Sequence, residues 1–379
     1  MIISLNPNVL RWARTRAGLK EHELAEKLHI KPDNVTRWEM TGELKLTQAE
    51  KLADKTYTPL GLLFLSEPPE EKLPISDFRT VGDEPVASPS TELLDTIQMM
   101  QARQAWMREY LIGQGFSRLP FVGSARHGQR PEAVAASMRA ALKMTDAWAK
   151  QHPDWSSALF GLRHLIEDAD ILIFINGVVG NNTHRPLKTS EFRGFALCDD
   201  VAPLIFINNA DAKSAQMFTI AHELAHIWLG IDGVSNLPKL QAPELEIEQF
   251  CNAVAAEFLV PSEEISAVWK VAEAEEHPYG YLARVFKVSP IVAARRAQDL
   301  GFIDREEFFN FLNHYQAQQH KKPSTGGDFW KTNNVRIDPR FGVSVVRAAK
   351  EGQLLYTDAY RLTGLKSESF STYAKTFGY

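Results

Sequence analysis

The chain has 379 residues, 44% hydrophobic and 23% charged, a length beyond one ordinary core and a balance that excludes a disordered chain. Its 42 basic and 47 acidic side chains leave a net charge of −5, which excludes a generally basic coat for nucleic acid but not a local basic patch. With only two cysteines, Cys198 and Cys251, neither a disulfide framework nor a four-cysteine zinc knuckle is possible.

In chain order, the first residues hold no basic stretch leading into a long apolar run, so no secretory signal is expected. The first 65 residues read as short helices. Within them residues 21–28 form one helix, His29-Ile30-Lys31 a turn and residues 32–40 a second helix, with Pro32 suited to the first helical position. Leu24, Ala25, Leu28, Ile30, Val35 and Trp38 would make the seam between them. Residues 66–74 are rich in proline and charge and mark a domain boundary. An amphipathic helix begins at Leu93 and buries Ile97, Met100, Met107 and Leu111, and more helix is expected between residues 131 and 167. Residues 171–175, 192–198 and 204–207 are short, β-branched and aromatic, and predict three strands of a small sheet. The apolar runs are far shorter than the ~20 residues of a membrane span, so a cytoplasmic protein that avoids membranes is expected. Helix resumes over about 212–300, residues 321–327 read as a flexible linker, and a small helical region closes the chain. The expected class is α+β, mostly helical, with domains at 1–68, 69–320 and 321–379.

The sharpest chemical signal is His222-Glu223-Leu224-Ala225-His226. Residues four apart share one face of a helix, so both imidazoles can point at one ion, and Glu223 beside them can take a proton from water activated there. Thr219, His222, Glu223 and His226 form a polar stripe on an otherwise apolar helix, and Gly230 supplies a stop. A catalytic zinc site needs a third protein ligand. Glu248 and Asn252, four apart on the next helix, are candidates for that ligand and for a group that orients one, with Glu246 and Glu257 as rivals for the first role. Cys251 reads as a packed thiol, and His127, His184, His277 and His314 lack ligand spacing.

The run His222 to His226, followed by Glu248, Asn252, Ala255, Leu259 and Pro261, resembles the ImmA/IrrE family of zinc metallo-endopeptidases. Cys251, Val254 and Val260 depart from that pattern by small apolar exchanges. The resemblance implies a gluzincin-like domain with one zinc per chain, held by His222, His226 and Glu248, with Glu223 as the proton shuttle. Residues 24–39 resemble the XRE helix-turn-helix, with His29 in place of the usual turn glycine and Lys31 in place of a small polar cap. That resemblance implies that Lys31, Asp33, Asn34, Thr36 and Arg37 face a DNA major groove. Residues 1–65 carry ten basic and eight acidic side chains, so attraction to bulk DNA is weak. Residues 282–296 and 356–365 echo the same pattern and are read as structural.

Together these features predict a DNA-binding zinc endopeptidase that regulates a stress, phage or toxin–antitoxin system. Its expected partners are a double-stranded operator, a second copy of itself and a protein substrate, such as a helix-turn-helix repressor, a toxin or its own chain. Residues 204–207 would accept the substrate as an added strand. The alternative is a repressor or antitoxin whose metal domain binds a partner without turnover.

Overall fold

The computed structural model describes residues 1–71, 73–77, 89–235, 246–318 and 336–379. Two compact units emerge: the first runs from Met1 to Pro74 and takes in residues through Ile97 of a later helix, and the second holds the remainder. The expected linker at 321–327 lies outside the described residues.

In the first unit, β1 (Ile2–Ser4), α1 (Pro7–Arg16), α2 (Glu21–Leu28), α3 (Pro32–Thr41), β2 (Glu43–Lys45) and α4 (Leu46–Lys55) follow in order. The apolar stripes of the helices meet in one core around Leu10, Leu24, Val35, Trp38 and Leu52. Strands β1 and β2, which the sequence pattern had not revealed, pair antiparallel. A buried ion pair ties α1 to α3, with Arg14 donating to both Glu39 oxygens at 2.6 and 2.9 Å. His29 closes α2 in the left-handed region at φ 55°, a conformation that glycine adopts without a Cβ clash. His29→Gly should therefore stabilise the unit by about 0.5–1 kcal/mol, after the entropy cost of glycine is offset against the relieved strain. Chemical denaturation checks this, and a lower midpoint would show that the imidazole contributes packing.

The second unit is built on a five-stranded sheet. Its strands are β3 (Ser76–Asp77), β4 (Leu172–Asn176), β7 (Gly194–Leu197), β8 (Leu204–Asn208) and β9 (Gly233–Ser235), in the order β3-β9-β7-β8-β4. The sequence pattern indicated β4, β7 and β8, whereas β3 and β9 are too short to show alternation. Between β4 and β7, β5 (Val178–Val179) and β6 (Asn182–Pro186) form a separate hairpin. The helices are α5 (Thr91–Gly113), α6 (Pro131–Ala141), α7 (Trp155–Asp168), α8 (Lys213–Leu229), α9 (Glu246–Leu259), α10 (Ser262–Glu273), α11 (Pro278–Phe286), α12 (Pro290–Asp299), α13 (Arg305–Gln318), α14 (Pro339–Lys350), α15 (Tyr356–Thr363) and α16 (Ser367–Lys375).

Side chains alternate along a strand, so the two faces of the sheet bury different neighbours. Ile173, Ile175, Ala196, Ile205 and Ile207 share the large core with residues of α6 to α9. Phe174, of opposite parity, meets Phe341 of α14 with ring centroids 5.5 Å apart, and the Arg103 guanidinium of α5 lies over Phe174 at 5.0 Å. Asp338 caps α14, accepting from Phe341 N at 2.9 Å and from Ile173 N, on the outer side of β4, at 3.0 Å. Among the described residues no helix is long and apolar enough to cross a membrane.

One expectation is corrected here. The 204–207 strand cannot accept a substrate strand at its edge, because β8 is paired in parallel with β4 on one side and antiparallel with β7 on the other. Both rows of its backbone hydrogen-bonding groups face a neighbour within the sheet.

Candidate metal centre

Helix α8 lies under the sheet with every residue from Gln216 to Trp228 buried, and Gly230 ends it at φ 70°. An apolar helix of this kind can be covered on all sides, so its polar stripe must find partners inside the protein. Thr219 turns back on its own helix, its hydroxyl donating to Ala215 O at 3.0 Å. His222 and His226 face α9, where Glu248 and Asn252 occupy the same turn-to-turn spacing.

The four side chains meet. His222 Nδ1–H donates to Asn252 Oδ1 at 3.0 Å, which fixes the tautomer and turns the Nε2 lone pair inward. His222 Nε2 and His226 Nε2 lie 3.1 Å apart, and the Glu248 carboxylate lies 3.2 Å from the first and 3.0 Å from the second. All three residues are buried, at 0, 0 and 2% exposure. Burial opposes the charged form of His222, but the adjacent Glu248 carboxylate outweighs it and raises the pKa. At His226 burial prevails and the pKa falls. Burial alone would raise the Glu248 carboxyl, yet the facing imidazoles, His222 foremost, bring it down to about 2.

This donor set suits a zinc ion. Two nitrogens and one carboxylate oxygen around a tetrahedral ion, at bonds of about 2.0–2.1 Å, would sit about 3.3 Å from one another, close to the spacing found here. Such a set leaves a fourth position open. Among the described residues no other group of three His, Cys, Asp or Glu side chains gathers in this way.

Glu223 is fully buried and stands beside the cluster without joining it. Its Oε1 lies against β7 at Gly194, where an added Cβ would come within 3.1 Å of that oxygen and 2.7 Å of Thr219 Cγ2. Gly194 is a residue that the sequence reading passed over, and its signal was a glycine inside an otherwise bulky strand. The rivals for third ligand are placed elsewhere. Glu246 is exposed and 4.0 Å from His127, while Glu257 pairs with Arg296 and accepts from Ser262 N and Oγ at 3.0 and 3.1 Å. Cys251 is fully buried, which drives its thiol pKa up. Cys198 is half-buried and donates weakly to His226 O at 3.5 Å, while Asp232 accepts from its backbone N–H, two contacts that no local residue pattern encodes.

Residues 166–298 match the IrrE N-terminal-like domain, Peptidase M78. The peptidase-like segment therefore takes in β4 to β9, the metal-helix pair α8 and α9, and the helices through most of α12. A second match, at residues 337–376, is to a domain of unknown function, DUF8813. No curated protein matches the chain.

In the first unit, α3 presents Lys31, Asp33, Thr36 and Arg37 to solvent, with Asn34 half-buried. Thr36 is engaged within the unit, donating to Glu21 Oε2 at 2.8 Å, so its hydroxyl is shared with α2.

Proposed function

We propose that the chain is a DNA-binding regulator whose peptidase-like segment hydrolyses a peptide bond in a regulatory partner or in itself. The observation that carries this reading is the convergence of His222, His226 and Glu248 beside Glu223. In this reading the three converging side chains hold one zinc ion, and Asn252 keeps His222 in its ligating tautomer. When bound, zinc would supply Lewis-acid polarisation of the scissile carbonyl and a lower pKa for the attacking water. Glu223 accepts the proton of that water and passes it to the leaving amine nitrogen, and the apolar walls of α8 and α9 keep bulk water from competing for it. Gly194 leaves room for the carboxylate against β7. The test combines metal analysis of the purified chain with cleavage of co-expressed neighbouring gene products. Absence of zinc, or binding without cleavage of any partner or of itself, overturns the proteolytic reading.

The regulatory half rests on the first unit. Its exposed α3 residues would read a short, two-fold symmetric duplex site as a dimer. Arg37→Ala should cost about 1–3 kcal/mol at one base position if it reads a base edge. Binding to a panel of single-base variants checks this, and a uniform loss across all of them makes Arg37 a phosphate contact.

A second reading, a repressor or antitoxin whose metal domain holds a partner without turnover, draws on the near-complete burial of the three donor side chains.

A further inference from the structure

The turn between α2 and α3 recurs twice in the second unit. A residue in the left-handed region closes each leading helix: His29 at φ 55°, Lys287 at φ 56° and Gly364 at φ 70°. Ile30, Val288 and Leu365 follow, with Val288 and Leu365 buried. Next comes an extended N-cap: Lys31 at φ −74° and ψ 143°, Ser289 at −77° and 154°, and Lys366 at −86° and 165°. The buried positions keep step as well. Val35 and Trp38 on α3 correspond to Phe370 and Tyr373 on α16, and Leu24 and Leu28 on α2 correspond to Ala359 and Thr363 on α15.

Backbone geometry cannot separate the three, but their surfaces do. Helix α12 is sunk in the core, with Val292, Ala293, Ala294, Arg296 and Ala297 buried and Arg296 committed to Glu257 and Val260 O. Its partly exposed face carries the Arg295–Asp299 ion pair, with N···O at 2.8 Å, and no residue of that face before Asp299 is fully exposed. Helix α16 exposes Lys366, Ser367, Glu368, Ser371, Thr372 and Lys375, positions equivalent to those that α3 exposes, with one carboxylate, Glu368, among hydroxyl and ammonium groups. Charge points the same way. Residues 336–379 carry seven basic and four acidic side chains within a chain of net charge −5, and one of the four acids, Asp338, is buried. The DUF8813 match spans these helices apart from the peptidase-like segment, as expected of a module in its own right.

We propose that α15 and α16 form a second DNA-reading helix-turn-helix, with Lys366, Ser367, Ser371 and Thr372 facing the major groove and Lys375 a phosphate. Small hydroxyl side chains accept either donors or acceptors on base edges, and a lysine at the N-cap reaches phosphate or guanine. The proposal shares its ligand class with the reading of α3 but does not depend on it, so the test addresses each helix separately.

The experiment selects from a pool of random-sequence duplexes with the full-length chain, the Lys366→Ala/Thr372→Ala double variant and Arg37→Ala. Because the changed side chains are exposed, folding is expected to be unaltered, and thermal melting monitors this. The expected result is two selected sequence blocks for the wild type. The double variant should lose one block, because it removes two of the side chains that face the major groove. Arg37→Ala should weaken the other block. Identical blocks in the double variant and the wild type would overturn the proposal and assign α16 to protein contact. A double variant that loses a block while Arg37→Ala changes nothing leaves α16 as a reader and removes α3. Wild-type protein that selects no sequence overturns both.

Discussion

Glu223→Gln is expected to lower peptide cleavage by about 10²–10⁴-fold while leaving zinc content, folding and DNA binding as in the wild type. The substitution keeps the size of a fully buried side chain packed against Gly194 and removes only the carboxylate proposed to accept the proton. Glu223 lies outside the converging donors, so metal content should not change. In cells the intact target, or the intact chain itself, should accumulate under inducing conditions where the wild type is cut or does the cutting. If the variant regulates like the wild type while His222→Ala does not, the metal domain works as a sensor and proteolysis is not its mechanism.

Glu248→Ala is expected to strip the metal. It removes the carboxylate that lies 3.0 and 3.2 Å from the two imidazole nitrogens and leaves two ligands, too few for a stable zinc site. Zinc analysis after dialysis should read about one ion per chain for the wild type and near none for the variant. The loss should also appear as stability, because an ion that binds only the folded chain adds about 2.7 kcal/mol when present at a hundredfold excess over its dissociation constant. A chelator should therefore lower the melting temperature of the wild type and leave that of Glu248→Ala unmoved. Glu246→Ala should keep the metal. Glu257→Ala should also keep it, though with lost stability, since Arg296 would be left buried without its carboxylate. Full zinc in Glu248→Ala, with loss in either of the others, would move the third ligand.

Much of the metal cluster was legible because helical spacing fixes direction. His222 and His226 on one helix, and Glu248 and Asn252 on another, each lie four residues apart, and two such pairs can meet when the helices pack side by side. Spacing alone does not separate Glu248 from Glu246 and Glu257, since all three lie on one helix and only packing decides which faces inward. Gly194 and the Cys198–Asp232 contact come from strands and turns remote in sequence, and no local period encodes their approach. The same limit governed the sheet. Strands β4, β7 and β8 announced themselves by composition, but their order depends on long-range pairing, and that order placed β8 in the interior. The β5–β6 hairpin did carry a local signal, Gly180-Asn181 after two valines, which the sequence reading overlooked. The helix-turn-helix echoes were visible as residue patterns, but their equivalence required the dihedral angles, and the difference between α12 and α16 required burial.

The Asp338 contact with β4 has a bearing on solubility. Strand β4 ends the sheet, and its residues form a run of large apolar side chains that would make a ready template for another chain if the edge were open. A carboxylate on the outward Ile173 N–H, with Phe341 packed over Phe174, blunts that edge as a charged gatekeeper would. The C-terminal helix α14 and its cap thus cover part of that edge. A cut that released this segment is expected to leave the outer side of β4 open to pairing with another chain, so the lifetime of the sheet in solution should depend on the integrity of the far end of the chain.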